Sequence, residues 1–322
     1  RRFCGSPMIF FSLFCALLID HFRPTRAGEF FSGSIRMIAG CVRKWCDTGL
    51  VHHARMGWIM VVVIFTLPVL VVYWICLAIH PFFGLLWNIL ILYLCMGFRH
   101  YNHYFTSIQM ALLSGENLRA RNMLAEWCHD GMENVGDAEI TSWTIEKALI
   151  TVLKDVFGVI FWFALPFGPA GAVFYRVAVG LRKCWSDQNG DRNNFSRFSG
   201  RMSCWVNWIP VRLMAVSFAA VGNFEGAVYG WRNESSRWKS SNAGILLASA
   251  GGAMGIRLGV TGKHGEQGTG QDTGSGSFAT DEPVLPHWPQ PTIRFLQSTL
   301  GLIWRTLLLW LVLLFLFTMT FY

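Results

Sequence analysis

Apolar residues arrive along this chain in blocks, and polar, mostly basic connections separate them. Met8 to Ile19 (MIFFSLFCALLI) is apolar but shorter than the about 20 residues a bilayer crossing needs. With Phe3 to Pro7 included, it predicts a tilted or locally thinned span. A basic segment follows, carrying Arg23, Arg26, Arg36, Arg43, Lys44 and Arg55. Gly57 to Ile79 is uncharged and long enough to cross. His80-Pro81 breaks it, and Phe82 to Phe98 is a second uncharged run. So short a connection predicts an antiparallel helical hairpin.

Arg99 opens a stretch with soluble character that continues to Lys154. Within it, Ile108–Leu113 and Leu118–Trp127 read as two amphipathic helices separated by Ser114-Gly115, with Asn117 placed to cap the second. A third helix is expected from Asp137 or Ala138 onward, entering the membrane at Val156. Val156 to Leu181 is apolar but broken at Pro166 and Gly168-Pro169-Ala170-Gly171, and it carries Arg176. Met202 to Phe224 is apolar with Pro210, Arg212 and Asn223 inside it. Broken helices at membrane depth persist only when buried in protein or lining a wet cavity. Ala243 to Leu258 is rich in small residues, with Gly251, Gly255 and Gly259 at the four-residue spacing that lets helices approach closely. Residues 259–291 read as a flexible Gly/Ser linker ending in a Pro-rich piece. Leu300 to Tyr322 reads as a terminal span.

Composition supports the membrane reading. Hydrophobic residues make up 53% and charged residues 14%, against about 25% charged in soluble chains, and mean hydropathy is +0.38. The net charge of +8 lies mainly in connections beside apolar blocks, which is the positive-inside pattern rather than the mark of a nucleic-acid partner. It sets segments 20–56, 99–155 and 225–299 on the cytoplasmic side. The basic stretch 182–202 resists that count: either it is an exception, or its flanking segments dip in and return. No small-x-small cleavage site follows the first apolar run, so an uncleaved anchor starting at Met8 is expected.

Candidate chemistry is sparse. Nine cysteines form no CxxC pair, and their odd count and scattered spacing argue against a disulfide framework or zinc. His100 and His103 share a helical face, but two ligands alone do not make a site; they read as interfacial anchors beside Arg99. GVTGKHG around Lys263 fails the phosphate-loop pattern at Arg257 and His264. The stronger set is Arg99, Arg176, Arg212, Asn223, Glu225, Arg232, Asn242 and Arg257. Ionisable groups at membrane segments are functional candidates, and the arginine fork suits phosphate or carboxylate. Either an anionic-ligand site or a structural ion-pair network uses these same residues.

Several strings carry a resemblance. Asp155 to Val177 (DVFGVIFWFALPFGPAGAVFYRV), Trp208 to Leu213 (WIPVRL), Asn242 to Leu258 (NAGILLASAGGAMGIRL) and Ser114 to Trp127 (SGENLRARNMLAEW) resemble the cobalamin-biosynthesis CobD/CbiB family, the adenosylcobinamide-phosphate synthases. FRHYNHYFTSIQMAL and WIPVRLMAVSFAAVGNFEGA are also similar to AmpE, an inner-membrane protein linked to β-lactamase regulation. The resemblance implies an ATP- and magnesium-dependent enzyme that joins adenosylcobyric acid to aminopropanol phosphate. It departs from the synthases where they carry polar motifs: Asp20 is followed by HFRPTR instead of a Gly-Asp-Pro and His-Pro pattern. The synthase string E-N-T-x-D-G aligns with Ile150 to Asp155, leaving Asp155 offset by one position. The family's N-T-L-D becomes Val179 to Arg182. Such losses are expected to remove magnesium–phosphate chemistry, which needs carboxylates.

The expected fold class is all-α: a polytopic integral membrane helical protein with broken or re-entrant helices. Residues 1–258 form a CobD/CbiB-like membrane domain with a cytoplasmic helical insertion at 99–155, then the linker 259–291 and a C-terminal transmembrane helix at 292–322. The expected location is the bacterial inner membrane, multi-pass. Expected partners are the lipid bilayer and a corrinoid or another anionic small molecule, with no nucleic acid and room for a homo-oligomer; no metal site is expected. Two functions stay open: a divergent cobalamin-pathway synthase, and a non-catalytic AmpE-like sensor or regulatory protein.

Overall fold

The computed structural model describes residues 6–22, 27–46, 51–128, 137–185, 194–235, 240–259, 288–289 and 291–320. The expected linker lies outside the described residues, apart from its ends and Trp288-Pro289. Every described element is helical, so this is an all-α membrane protein. Among the described residues, two helices, His52–Ile79 and Arg294–Thr320, are long and apolar enough to cross a bilayer, and a third span exists if one helix pair bent by 42° counts as one. The chain forms two compact units. Unit 1 is Arg1–Tyr104, Ile150–Met214 and Trp304–Tyr322; unit 2 is Phe105–Leu149 and Ala215–Ile303.

Unit 1 contains α1 (Ser6–Phe22), α2 (Ala27–Cys46), α3 (Val51–Ile79) and α4 (Pro81–Cys95). The hairpin expected at His80-Pro81 is present. His80 caps α4, its Nδ1 accepting the Phe82 N–H at 3.2 Å, and Pro81 occupies the first turn, where a missing N–H costs nothing. The antiparallel register shows in two contacts: Trp87 Nε1 donates to the Val69 carbonyl at 3.3 Å, and a Cβ at Gly84 would touch Leu77 at 3.2 Å. Only fifteen residues long, α4 falls short of a full crossing. Helix α2 folds back along α3, with Phe31 edge-on to Phe65 at 5.7 Å between ring centroids.

The later part of unit 1 begins within α7 (Asp137–Val152), whose start the sequence places correctly, and continues through a π turn (Leu153–Phe157) into α8 (Gly158–Ala164). After a break come α9 (Pro169–Trp185), α10 (Asn194–Val206) and α11 (Trp208–Val221). The bend between α10 and α11 falls at Asn207, inside the stretch that the sequence predicts as one broken segment. There Asn207 donates both its backbone N–H, at 3.1 Å, and its side-chain amide, at 2.8 Å, to the Ser203 carbonyl. The C-terminal part of α14 (Arg294–Thr320) joins this unit through Phe315 against Phe10 and Trp310 against Phe157.

Unit 2 holds most of α5 (Phe98–Leu113) together with α6 (Asn117–Cys128) and most of α7. The two expected amphipathic helices are present, α6 begins at Asn117, and Gly115 turns between them at φ 75°. Further on, α12 (Phe224–Tyr229) runs into a second π turn (Gly230–Glu234), and α13 (Ser241–Met254) packs antiparallel against both. The expected Gly251–Gly255–Gly259 stripe is not what brings these helices together. Gly255, at φ 67°, ends α13: its N–H and that of Ile256 return to the Gly252 and Gly251 carbonyls at 3.2 and 2.9 Å, a Schellman close. Gly259, at φ 102°, lies beyond the helix. The close approach is made by Gly252 against Gly226 and by Gly230 against Ala248.

Candidate functional site

The apolar segment around Pro166 folds as a helical hairpin rather than a single span. Leu165 to Gly168 makes the turn, with Gly168 at φ 52° and its N–H on the Leu165 carbonyl at 3.0 Å. Two glycines then set the distance between the legs. A Cβ at Gly171 would fall 2.2 Å from the Trp162 carbonyl oxygen, and one at Gly158 would fall 2.1 Å from the Tyr175 ring. With those contacts fixed, the next pair along the legs is Asp155 and Arg176, which form an ion pair from Arg176 Nη1 to Asp155 Oδ1. Both side chains are about one-fifth exposed (18% and 19%). Gly97, between α4 and α5, faces them: a Cβ there would meet Arg176 Nη2 at 3.7 Å and Asp155 Oδ2 at 3.8 Å.

Neighbouring polar groups anchor this hairpin. Tyr175 donates its hydroxyl to Asn207 Oδ1 at 2.8 Å, and Trp162 Nε1 donates to the Val206 carbonyl at 3.3 Å. Together they fasten both legs to the bend between α10 and α11. The motif string thus has a physical reading. Asp155, Gly158, Trp162, Gly171, Tyr175 and Arg176 are the contact residues of one hairpin. Chemically, the pair offers a guanidinium with its orientation fixed by a carboxylate and further N–H donors available to an anion.

The sequence candidates divide between the units. Arg99, Arg176 and Arg212 lie in unit 1, and Asn223, Glu225, Arg232, Asn242 and Arg257 lie in unit 2. The Arg99 side chain is outside the described residues. Arg212 stacks on Trp208 of its own helix, 4.0 Å from the ring centroid, and donates to the Trp208 carbonyl at 3.0 Å. Asn223 caps α12, its Oδ1 accepting the Gly226 N–H at 3.1 Å, and its own N–H reaches the Ala253 carbonyl at 3.1 Å. Glu225, Arg232 and Arg257 are exposed, while Asn242 is buried in the first turn of α13.

Sequence reasoning counted Asp155 only as an offset motif residue. A usable signal was present: Asp155 and Arg176 stand nearly equidistant from the Pro166 break. It missed Glu146 altogether. This buried carboxylate accepts the Gly259 N–H at 2.9 Å and the Ser142 hydroxyl at 3.2 Å, tying the chain just past α13 to α7 across 113 residues. No local pattern marks such a contact.

Magnesium and ATP, implied by the synthase resemblance, meet a poor donor set here. The hairpin offers one carboxylate, already engaged by Arg176, and among the described residues no group of three His, Cys, Asp or Glu side chains could hold a metal ion. These residues do not fit a protein-held magnesium ion.

Known proteins resemble this chain over most of its length. The profile of the CobD/Cbib protein family matches residues 13–282. The cobalamin biosynthesis protein CobD of Stutzerimonas stutzeri (strain A1501) is 28% identical over 263 residues, covering 81% of this chain and 81% of that protein. The protein of the same name from Chromobacterium violaceum is 28% identical over 235 residues, covering 73% and 71%. A probable cobalamin biosynthesis protein CobD from Thermoplasma volcanium is 26% identical over 151 residues, covering 46% and 49%. No solved structure gives a significant match.

Proposed function

This chain belongs to the CobD/Cbib protein family, and from that premise we propose that it works in cobalamin biosynthesis as a membrane protein of the bacterial inner membrane. The finer reading is amide formation: the carboxylate of adenosylcobyric acid joined to the amine of aminopropanol phosphate, with ATP supplying the driving force. The observation that carries this reading is the Asp155–Arg176 pair, held by the hairpin whose legs bear the longest family string. In it, Asp155 fixes the plane of the guanidinium, and Arg176 presents its remaining donors to the phosphate or carboxylate of an anionic substrate. No step is assigned through magnesium, because the donor set does not fit it.

The same pair favours one second reading. A carboxylate committed to an arginine is not available to a metal-bound nucleotide, and a binding site without turnover is what an AmpE-like sensor or regulatory protein requires. Genetic complementation separates the two. The chain is expressed in a bacterium that lacks its own cobinamide-phosphate synthase, with cobyric acid as sole corrinoid under conditions that demand cobalamin. Growth supports the synthase reading; absence of growth, with the protein present in the membrane, overturns it and supports the regulatory one.

A further inference from the structure

One end of unit 1 closes where two hairpins meet. Trp185 Nε1 donates to the Ala39 carbonyl at 3.2 Å, tying the last turn of α9 to α2, and the Trp185 ring meets Phe195 of α10 at 5.1 Å between centroids. A Cβ at Gly57 would stand 3.2 Å from both Val42 and Phe195, so the start of α3 joins the same contact. Arg182 Nη1 reaches the Gly200 carbonyl at 3.3 Å. The second halves of α2 and α9 and the first halves of α3 and α10 therefore share one apolar plug.

Around that plug the outward side chains are cations: Arg36 and Lys44 on α2, Arg55 on α3, Lys183 on α9, and Arg197 and Arg201 on α10 are all exposed. Among the described side chains of these four helices there is no carboxylate. Large apolar groups stand exposed beside the cations. Met37 is 72% exposed, Trp45 89% and Trp205 74%. Tryptophan next to arginine and lysine, at the edge of a long apolar helix, is the composition of a headgroup boundary.

We infer that this end of unit 1 is a binding surface for the anionic headgroups of membrane phospholipids. Charge complementarity names the occupant. Six exposed cations ring the plug with exposed tryptophans beside them, and a phosphate-bearing leaflet supplies the charge that matches them. The same geometry decides the sidedness that the basic stretch 182–202 left open. The legs on either side of Pro166 are antiparallel, so the chain returns, and α9 delivers Arg182 and Lys183 to the same membrane face as the end of α2.

The test is native mass spectrometry of the full chain in detergent, titrated with phosphatidylglycerol or phosphatidylcholine of identical acyl chains. The expected result is a preference for phosphatidylglycerol of about ten-fold or more. In the variant R36Q/K44Q/R197Q/R201Q that preference falls to about two-fold or less, while R36K/R197K/R201K keeps it. Equal retention of the two lipids by the native chain overturns the inference, as does a preference that survives the glutamine substitutions. Binding of an oligonucleotide without lipid preference also overturns it. Independently, topology reporters inserted after Asp47 and after Asn189 are expected to read the same side; opposite sides refute the shared surface even if the glutamine variant fails to fold.

Discussion

Gly252 faces Gly226 backbone to backbone: a Cβ built on Gly252 would stand 2.0 Å from the Gly226 carbonyl oxygen, and one built on Gly226 would stand 2.3 Å from that of Gly252. At that distance nothing flexible can yield, because both obstructing atoms belong to the main chain. Gly252→Ala is therefore expected to push α12 and α13 apart and to destabilise the protein by about 1–3 kcal/mol or more. Gly33→Ala, on α2 with open space around it, is the control. Thermal unfolding in detergent should show a lowered Tm for the first and an unchanged or slightly raised Tm for the second.

Tyr175 and Asn207 are both buried, and their hydrogen bond joins α9 to the bend before α11. Tyr175→Phe leaves the Asn207 carbonyl without that donor, at an expected cost of about 1–3 kcal/mol. Asn207→Ala should cost a similar amount, since it leaves the buried Tyr175 hydroxyl without its acceptor, while the Ser203 carbonyl keeps the backbone N–H of residue 207. The double variant should fall short of the sum by at least about 0.5 kcal/mol in a denaturation cycle. Strict additivity would show that the bond contributes nothing.

Removing one member of the Asp155–Arg176 pair strands the other between packed helices. Arg176→Ala is expected to lose stability toward the low end of the about 3–5 kcal/mol seen for broken buried pairs, because both groups retain some solvent contact. Arg212→Ala loses only contacts within its own helix, the stack on Trp208 and an exposed bond to that residue's carbonyl, about 0.5–1 kcal/mol. Measured side by side, the first variant should unfold at clearly lower temperature, and it alone should abolish any complementation.

Cys184 gives a pH-dependent readout. Burial pushes its thiol above the ordinary cysteine value, while Arg36 and Lys183 pull it down less strongly. The reactive thiolate therefore forms at higher pH than in a free cysteine. Maleimide labelling of Cys184 should lag behind the exposed Cys41 and Cys204 near neutrality and catch up only in alkaline buffer. Arg36→Ala should move its labelling profile further toward alkaline pH. A shift toward acid would show that Arg36 does not hold the thiol down.

Features set within a few residues were legible in the sequence. The His80-Pro81 break, the start of α6 at Asn117 and the start of α7 at Asp137 all come from capping and apolar periodicity over short windows. Contacts set by tertiary packing could not be read this way. Glu146 meets Gly259, and Gly252 meets Gly226, only because distant helices pack, and no window contains both partners. The glycine spacing at 251, 255 and 259 pointed to a flat helical face, yet two of those glycines have left-handed backbone and shape the helix's exit instead. Arg176 was recognisable as an ionisable group in an apolar segment. Its carboxylate partner stands 21 residues earlier, and only the hairpin turn at Pro166 brings the two together.

The π turn at Leu153–Phe157 gives the one-position offset of Asp155 a meaning in three dimensions. Such a turn accommodates one residue more than an α turn, so an insertion can be absorbed there while the helix beyond it keeps its heading. Deleting a single residue after Asp155 would close this turn to an α turn, and the helix beyond it would keep its heading and its contacts with α9. A linear alignment scores such a shift as a lost residue; a helix with an elastic turn can count it as the same residue, arriving one step late.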